Sequence, residues 1–256
     1  LLRSVKANAE PITEALQGAG IPFIVTGMTN LFAAPEAEAA RQLFYFIADR
    51  DMDQTMLERV WIDADLGLDP QELQNAIEGV AAAKSALTDP QEKRWRQYSI
   101  QRVFLNFIEQ AGVREERVPN GRGEVVFYNL GKFSQLISDY EAIYFHSKPV
   151  EKYASFADFL QHRADDAYPE GWQDNQYANP DAIRIMTIHQ AKGMQWPVVF
   201  VPALLRNRFP AKKPGGRTVW HLLPRNGVLG QARFEGTNAD ERRLFYVAMT
   251  RSQKFL

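Results

Sequence analysis

The sequence predicts an α/β fold: a parallel sheet flanked by helices and interrupted by a mainly helical inserted domain. Three observations predict it. Short apolar strand-like runs alternate with amphipathic helical stretches at the start of the chain, the alternation resumes after Ile183, and from about Leu68 to Pro180 helix follows helix. The expected organisation is a discontinuous α/β domain over 1–67 and 180–256 and a helical insertion domain over 68–179.

Taken in order, Leu1-Leu2 opens an apolar, strand-like segment. Glu10-Pro11 followed by Ile12, Ala15 and Leu16 predicts a short helix with proline in its first turn, stopped by Gly18 and Gly20. Pro22 to Val25 reads as a strand, and Pro35 to Ala48 as a helix with Ala40, Leu43, Phe44 and Ile47 on one side. In the insertion, Ile100, Val103, Phe104, Phe107 and Ile108 follow helical spacing with Arg102, Asn106 and Glu109 opposite. Phe133, Leu136, Ile137, Tyr140 and Tyr144 repeat the pattern, and Ser155 is expected to cap a helix carrying Phe156, Phe159 and Leu160. Because these aromatics lie on apolar stripes, they are expected in the core rather than as base-stacking platforms.

The last third carries the chemistry. Ile183, Ile185 and Ile188 predict a strand, Val198 to Val201 a short buried run, and the loop between them holds Thr187, His189, Gln190, Lys192 and Gly193. Polar groups beyond the end of a buried strand fit a ligand site in an open α/β sheet, or an ordinary surface loop. From Asp240 onward an amphipathic helix is expected, with Leu244, Val247 and Ala248 on its apolar face and Asn238 capping it, Glu241 standing three residues on. Arg251 at its exit fits an anion contact, since its fork matches phosphate oxygens, or a charge complementing the helix dipole. The segment Arg206 to Arg217 holds three Arg and two Lys with no acid, and fits a phosphate-tracking loop or a solvated one.

Composition narrows the classes. With 256 residues, 45% hydrophobic and 24% charged, the chain suits one large or two modest domains. Its net charge of −1 excludes a polycation drawn to nucleic acid by bulk field, so any DNA contact must be a local groove. Zero cysteines exclude disulfides and a thiol nucleophile. No apolar run reaches bilayer length and no leader opens the chain, giving an expectation of no membrane contact and a cytoplasmic location. The absent initiator Met and the apolar Phe255-Leu256 ending suggest a piece of a longer protein.

Other sites fail on spacing. The histidines at 146, 162, 189 and 221 have no ligand spacing, so no metal site is expected. Asp49, Asp51 and Asp53 imitate a calcium loop, but its glycine and closing glutamate fall on Gln54 and Val60. Asp165-Asp166 reads as a solvated loop. Gly131-Lys132 lacks the upstream glycine and the following Ser or Thr of a P-loop.

Together, Thr187-Ile188-His189-Gln190-Ala191-Lys192-Gly193-Met194-Gln195-Trp196 and Glu241 through Arg251 resemble the fifth and sixth motifs of the UvrD/Rep/PcrA-type superfamily 1 DNA helicases. The opening, from Leu1-Leu2-Arg3 to the Gly20-Ile21-Pro22 strand entry, is similar to the fourth. The resemblance is close over the first and last thirds and only patterned between. It implies a RecA-like second motor domain from the C-terminal part of such a helicase, with ATP and Mg2+ bound mainly by an N-terminal motor domain of the same polypeptide.

It further implies Arg3 and Arg251 as arginine fingers, nucleotide contacts from Arg3, Gln195 and Arg251, and Thr187, His189 and Lys192 facing single-stranded DNA or a duplex junction. His189 fits direct DNA contact or a shape-holding hydrogen bond equally. Gln195 stands where the family usually has a glutamate near the sugar, and Leu2 where some members have an aromatic against the adenine. Movement along DNA is expected in the 3′ to 5′ direction, in repair or recombination. Lacking a P-loop, the chain alone is expected to be inactive in ATP hydrolysis. The alternative is a non-hydrolysing helicase-like DNA-binding scaffold in a repair or nuclease complex.

Overall fold

A computed structural model describes residues 1–26, 31–87, 99–144, 148–164, 181–212, 227, 229 and 236–255. His146, His221, Asp165-Asp166 and positions 213–217 of the basic segment lie outside these residues.

The fold is mixed α/β, with small parallel sheets and many flanking helices. Strand β1 (Phe23–Val25) pairs in parallel with β2 (Ile183–Ile185), Phe23 opposite Ile183 and Val25 opposite Ile185. Two residues beyond β2, Thr187 forms a parallel bridge with Leu2, so the first residues of the chain lie beside the loop that follows β2. A second parallel pair joins β3 (Trp196–Val198) to β4 (Ser252–Phe255). Parallel pairing between segments so far apart in sequence is what strand and helix alternation requires.

The first helices follow their local signals. Helix α1 (Val5–Asn8) is capped by the Ser4 hydroxyl, which accepts from the Ala7 amide at 3.3 Å. Helix α2 (Glu10–Gly18) has Pro11 in its first turn and is followed by Gly20 at φ +66°, the left-handed conformation that suits glycine after a helix end. Helix α3 (Pro35–Ile47) buries Ala40, Leu43, Phe44 and Ile47, the expected face.

One apolar core runs from Leu31 to Ala164 and takes in α3, α4 (Gln54–Asp63), α5 (Pro70–Leu87), α6 (Ile100–Gln110), α7 (Gly123–Ile143) and α8 (Pro149–His162). Phe44 meets Phe156 edge-on at 4.9 Å, Phe104 lies 5.1 Å from Phe133, and Trp61 lies 4.8 Å from Phe107. The aromatics of the helical stretch therefore form a core, as their spacing predicts. Among the described residues no helix is long and apolar enough to cross a membrane.

Of the three aspartates before α4, whose calcium-loop spacing fails, Asp53 caps the helix, accepting from the Met56 amide at 2.8 Å. Three local expectations are corrected. Ser155 does not cap α8, which already starts at Pro149; its hydroxyl accepts instead from Tyr140 at 2.8 Å across to α7. The run Val198 to Val201 is not buried throughout: Val199 is inside, but Val198 is 45% and Phe200 75% exposed, because β3 is paired only to β4 among the described residues. Helix α9 (Asn238–Met249) is capped by Thr237 rather than Asn238, and Asp240 takes both the Thr237 amide and hydroxyl at 2.8 Å.

Candidate functional site

The residues singled out in sequence come from three distant segments, and the parallel pairing decides how they meet. The Leu2 amide donates to the Met186 carbonyl and the Ile188 amide to the Leu2 carbonyl, each at 2.9 Å. This seats Arg3 beside the Thr187 to Gly193 loop. Ile188, buried completely, then packs with Phe209 and Ala248, alongside Leu1, Leu244 and Val247, and so fixes α9 over the same loop.

An open cleft of about 440 Å³ lies there, lined by Arg3, His189, Asp240, Glu241, Arg243 and neighbouring apolar residues of α9. Arg3 grips Glu241 side-on, donating through Nε at 3.2 and 3.3 Å and through Nη2 at 3.1 Å. Glu241 is only 4% exposed and also accepts from the Ala211 amide at 3.2 Å. Asp240 serves the helix cap and accepts from Arg243 at 2.9 Å. Hydrogen bonds from Thr237, its amide foremost and then its hydroxyl, hold the Asp240 carboxyl below its usual range, with Arg243 adding to them.

The donors in the cleft fit anionic oxygens presented from outside, because Arg3, His189 and Arg243 are cationic or hydrogen-bonding and face one opening. Its two carboxylates are already committed to Arg3, Ala211, Thr237 and Arg243, so the cleft fits a phosphate group and not its magnesium ion. Among the described residues there is no group of three or more His, Asp or Glu arranged to hold a metal.

Arg251 does not line this cleft. It is held at the exit of α9 by Nε to the Val247 carbonyl at 3.1 Å, Nη1 to the Met194 carbonyl at 3.2 Å and Nη2 to the Thr250 hydroxyl at 3.0 Å. It therefore sits at the far end of the Thr187 to Met194 loop. Gln195, next to it and exposed, accepts from Gln253 at 3.5 Å.

Within the loop, Thr187 is buried and locked to Gln190. The Thr187 amide and hydroxyl donate to Gln190 Oε1 at 2.8 and 3.1 Å, the Gln190 amide donates to the Thr187 hydroxyl at 3.2 Å, and Gln190 Nε2 reaches the Thr26 carbonyl at 3.4 Å. His189 and Lys192 stand exposed on the loop's surface. The described part of the basic segment is tied down too: Arg208 donates to Asn8 at 3.2 Å, and Phe209 meets Phe245 edge-on at 5.7 Å.

Two residues were missed in sequence as members of the site, Glu241 as the partner of Arg3 and Arg243 as a second cleft arginine. The signal for Glu241 was present: it shares the core-facing side of α9 with Leu244 and Ala248, where a carboxylate needs a cationic partner.

Residues 78–256 match the UvrD-like helicase C-terminal domain. An ATP-dependent helicase/nuclease subunit of Natranaerobius thermophilus is 24% identical over 300 residues, covering 100% of this chain and 23% of that protein. The RecBCD enzyme subunit RecB of Mycolicibacterium smegmatis is 24% identical over 260 residues, 96% of this chain and 23% of that protein. The corresponding helicase/nuclease subunit from Geobacillus kaustophilus is 31% identical over 160 residues, 54% of this chain and 12% of that protein. The chain spans under a quarter of the length of these relatives.

Proposed function

Because this chain belongs to the UvrD-like helicase C-terminal domain family, we propose that it is the C-terminal motor segment of an ATP-dependent DNA helicase or translocase that works within a helicase/nuclease-type protein in DNA repair or recombination. The observation that carries this reading is the convergence of three segments, 1–3, 187–194 and 241–251, through the Leu2 to Thr187 bridge, the Arg3 to Glu241 ion pair and the Arg251 to Met194 bond.

In this reading 1–67 and 180–256 form the motor domain and 68–179 the helical insertion, with the shared core drawing α3 and α4 onto the insertion's helices. Arg3 and Arg251 are the arginine fingers, and Gln195 lies near the nucleotide sugar. ATP and its magnesium ion are held mainly by the N-terminal motor domain of the same polypeptide, whose closure brings the phosphates to this face. A finger in place is worth about 10³ to 10⁵ in rate, roughly 4 to 7 kcal/mol of barrier. Turnover thereby depends on both domains being closed together.

Single-stranded DNA runs along the Thr187 to Gly193 loop. Lys192 offers a point charge to a phosphate and His189 a hydrogen bond, while Thr187 lies beneath them and holds the loop's shape through Gln190. The contacts go to backbone phosphates, which suits a motor indifferent to sequence and moving 3′ to 5′.

One observation favours the scaffold alternative: Arg3 and Arg251 are both engaged within the chain, by Glu241 and by backbone carbonyls. ATP hydrolysis by the full-length protein, with and without a single-stranded oligonucleotide, separates the two. Turnover that rises with DNA supports the motor; DNA binding without turnover supports the scaffold.

A further inference from the structure

Arg3 is held at both ends, at its root by the paired backbone of Leu2 and at its guanidinium by Glu241. The backbone on either side of Leu2 is pinned by the two 2.9 Å bonds to Met186 and Ile188. The side chain is then gripped along its Nε and Nη2 edge, and Nη1 takes no part in the grip. An arginine on a flexible stem must lose rotamer freedom before it can meet a phosphate, and a partner that removes this freedom beforehand lowers the cost at the moment of reaction.

The carboxylate is itself fixed. Glu241 is 4% exposed, its backbone belongs to α9, and its Oε2 is fastened to the Ala211 amide at the end of the Arg208 and Phe209 turn. A charge buried this far is stable only with its partners in place, so the pair and its geometry are set together.

Resting on the finger reading of Arg3, we propose that Glu241 is a positioning residue that orients the Arg3 guanidinium toward the nucleotide phosphates. Glu241 touches no phosphate itself. Its carboxylate holds the Nε and Nη2 edge of a side chain that lines the cleft together with His189, and leaves Nη1 outside that grip.

The test uses the full-length protein, with ATP and an oligo-dT single strand. Steady-state kcat and KM are compared for wild type, Arg3→Ala, Glu241→Gln and the double variant, all checked for native circular dichroism at the assay temperature. Glutamine keeps one acceptor oxygen, enough for the Ala211 amide, and turns an NH2 donor toward the Arg3 guanidinium, so the charge and the grip on Arg3 are lost together. The expected result is a kcat lowered by about tenfold or more in Glu241→Gln with KM moved by less than about threefold. The double variant should be no slower than Arg3→Ala alone, since the two act through one group.

A wild-type kcat in Glu241→Gln beside a slow Arg3→Ala would overturn the proposal and leave the finger reading standing. Independent, multiplying losses would overturn it as well, as would a glutamine variant unfolded at the assay temperature, which would make Glu241 a structural residue. A wild-type kcat in Arg3→Ala would remove the finger reading itself.

Discussion

Arg251 and Met194 are joined at 3.2 Å from Nη1 to the carbonyl oxygen, and the Arg251 carbonyl accepts in return from the Trp196 amide at 3.0 Å. The exit of the last helix and the end of the Thr187 to Met194 loop are thus fastened in both directions. A shift of the loop on binding DNA would move the arginine with it. In the proposed two-domain motor that would be a physical route by which the tracked strand reports to the nucleotide.

Lys192 is exposed on that loop, and the proposed phosphate contact predicts that it contributes to DNA affinity without sequence preference. Replacing Lys192 with Ala should weaken single-strand binding alike on different sequences and reduce the salt slope of log affinity by about 1. Fluorescence anisotropy over a salt series measures it; an unchanged slope would place Lys192 off the DNA path.

The buried Thr187 to Gln190 lock holds the loop's shape through four hydrogen bonds. Gln190→Ala leaves the buried Thr187 amide and hydroxyl without this partner, at a cost of about 1 to 3 kcal/mol. Hydrogen exchange of the Thr187 amide in full-length protein should accelerate in the variant, and wild-type protection would show that the lock is dispensable.

Asp240 gives a pH dependence with a defined sign. Its carboxyl is held low in the folded chain by Thr237 and Arg243, so its contribution to α9 is present above the unfolded value and is lost as pH falls through the lowered folded value. A carboxyl-carbon NMR titration should give Asp240 a midpoint below the reference value of 3.8, and a midpoint at or above it would contradict the cap geometry.

Much of this was legible in the chain because the controlling forces are local. Helices α2, α3 and α6 follow from proline or serine starts and from apolar spacing, and α7 from its spacing after Phe133 alone; Ser99 caps α6 as such residues do, accepting from the Arg102 amide at 2.9 Å. Helix α4 was not legible, since it buries only Leu57 and Trp61 and leaves a thin apolar stripe. The cap of α9 was placed one residue late because Thr237 and Asn238 are both good caps, and only tertiary structure withdraws Glu241 to serve Arg3. The exposure of Val198 and Phe200 could not be read either, because an apolar run does not disclose what packs on it. The site residues were named from their motifs, whereas the cleft's second arginine, Arg243, came from the three-dimensional arrangement.

The central claim is that this chain completes an ATPase with Arg251 as a finger, and the most direct measurement is DNA-stimulated ATP hydrolysis by the full-length protein and its Arg251→Ala variant. The account predicts stimulation by single-stranded DNA in the wild type and a loss of about a thousandfold or more in kcat, about 4 kcal/mol or more, in a variant that keeps its fold. A wild-type rate in Arg251→Ala would contradict it and leave Arg251 as a tie between α9 and the Met194 carbonyl.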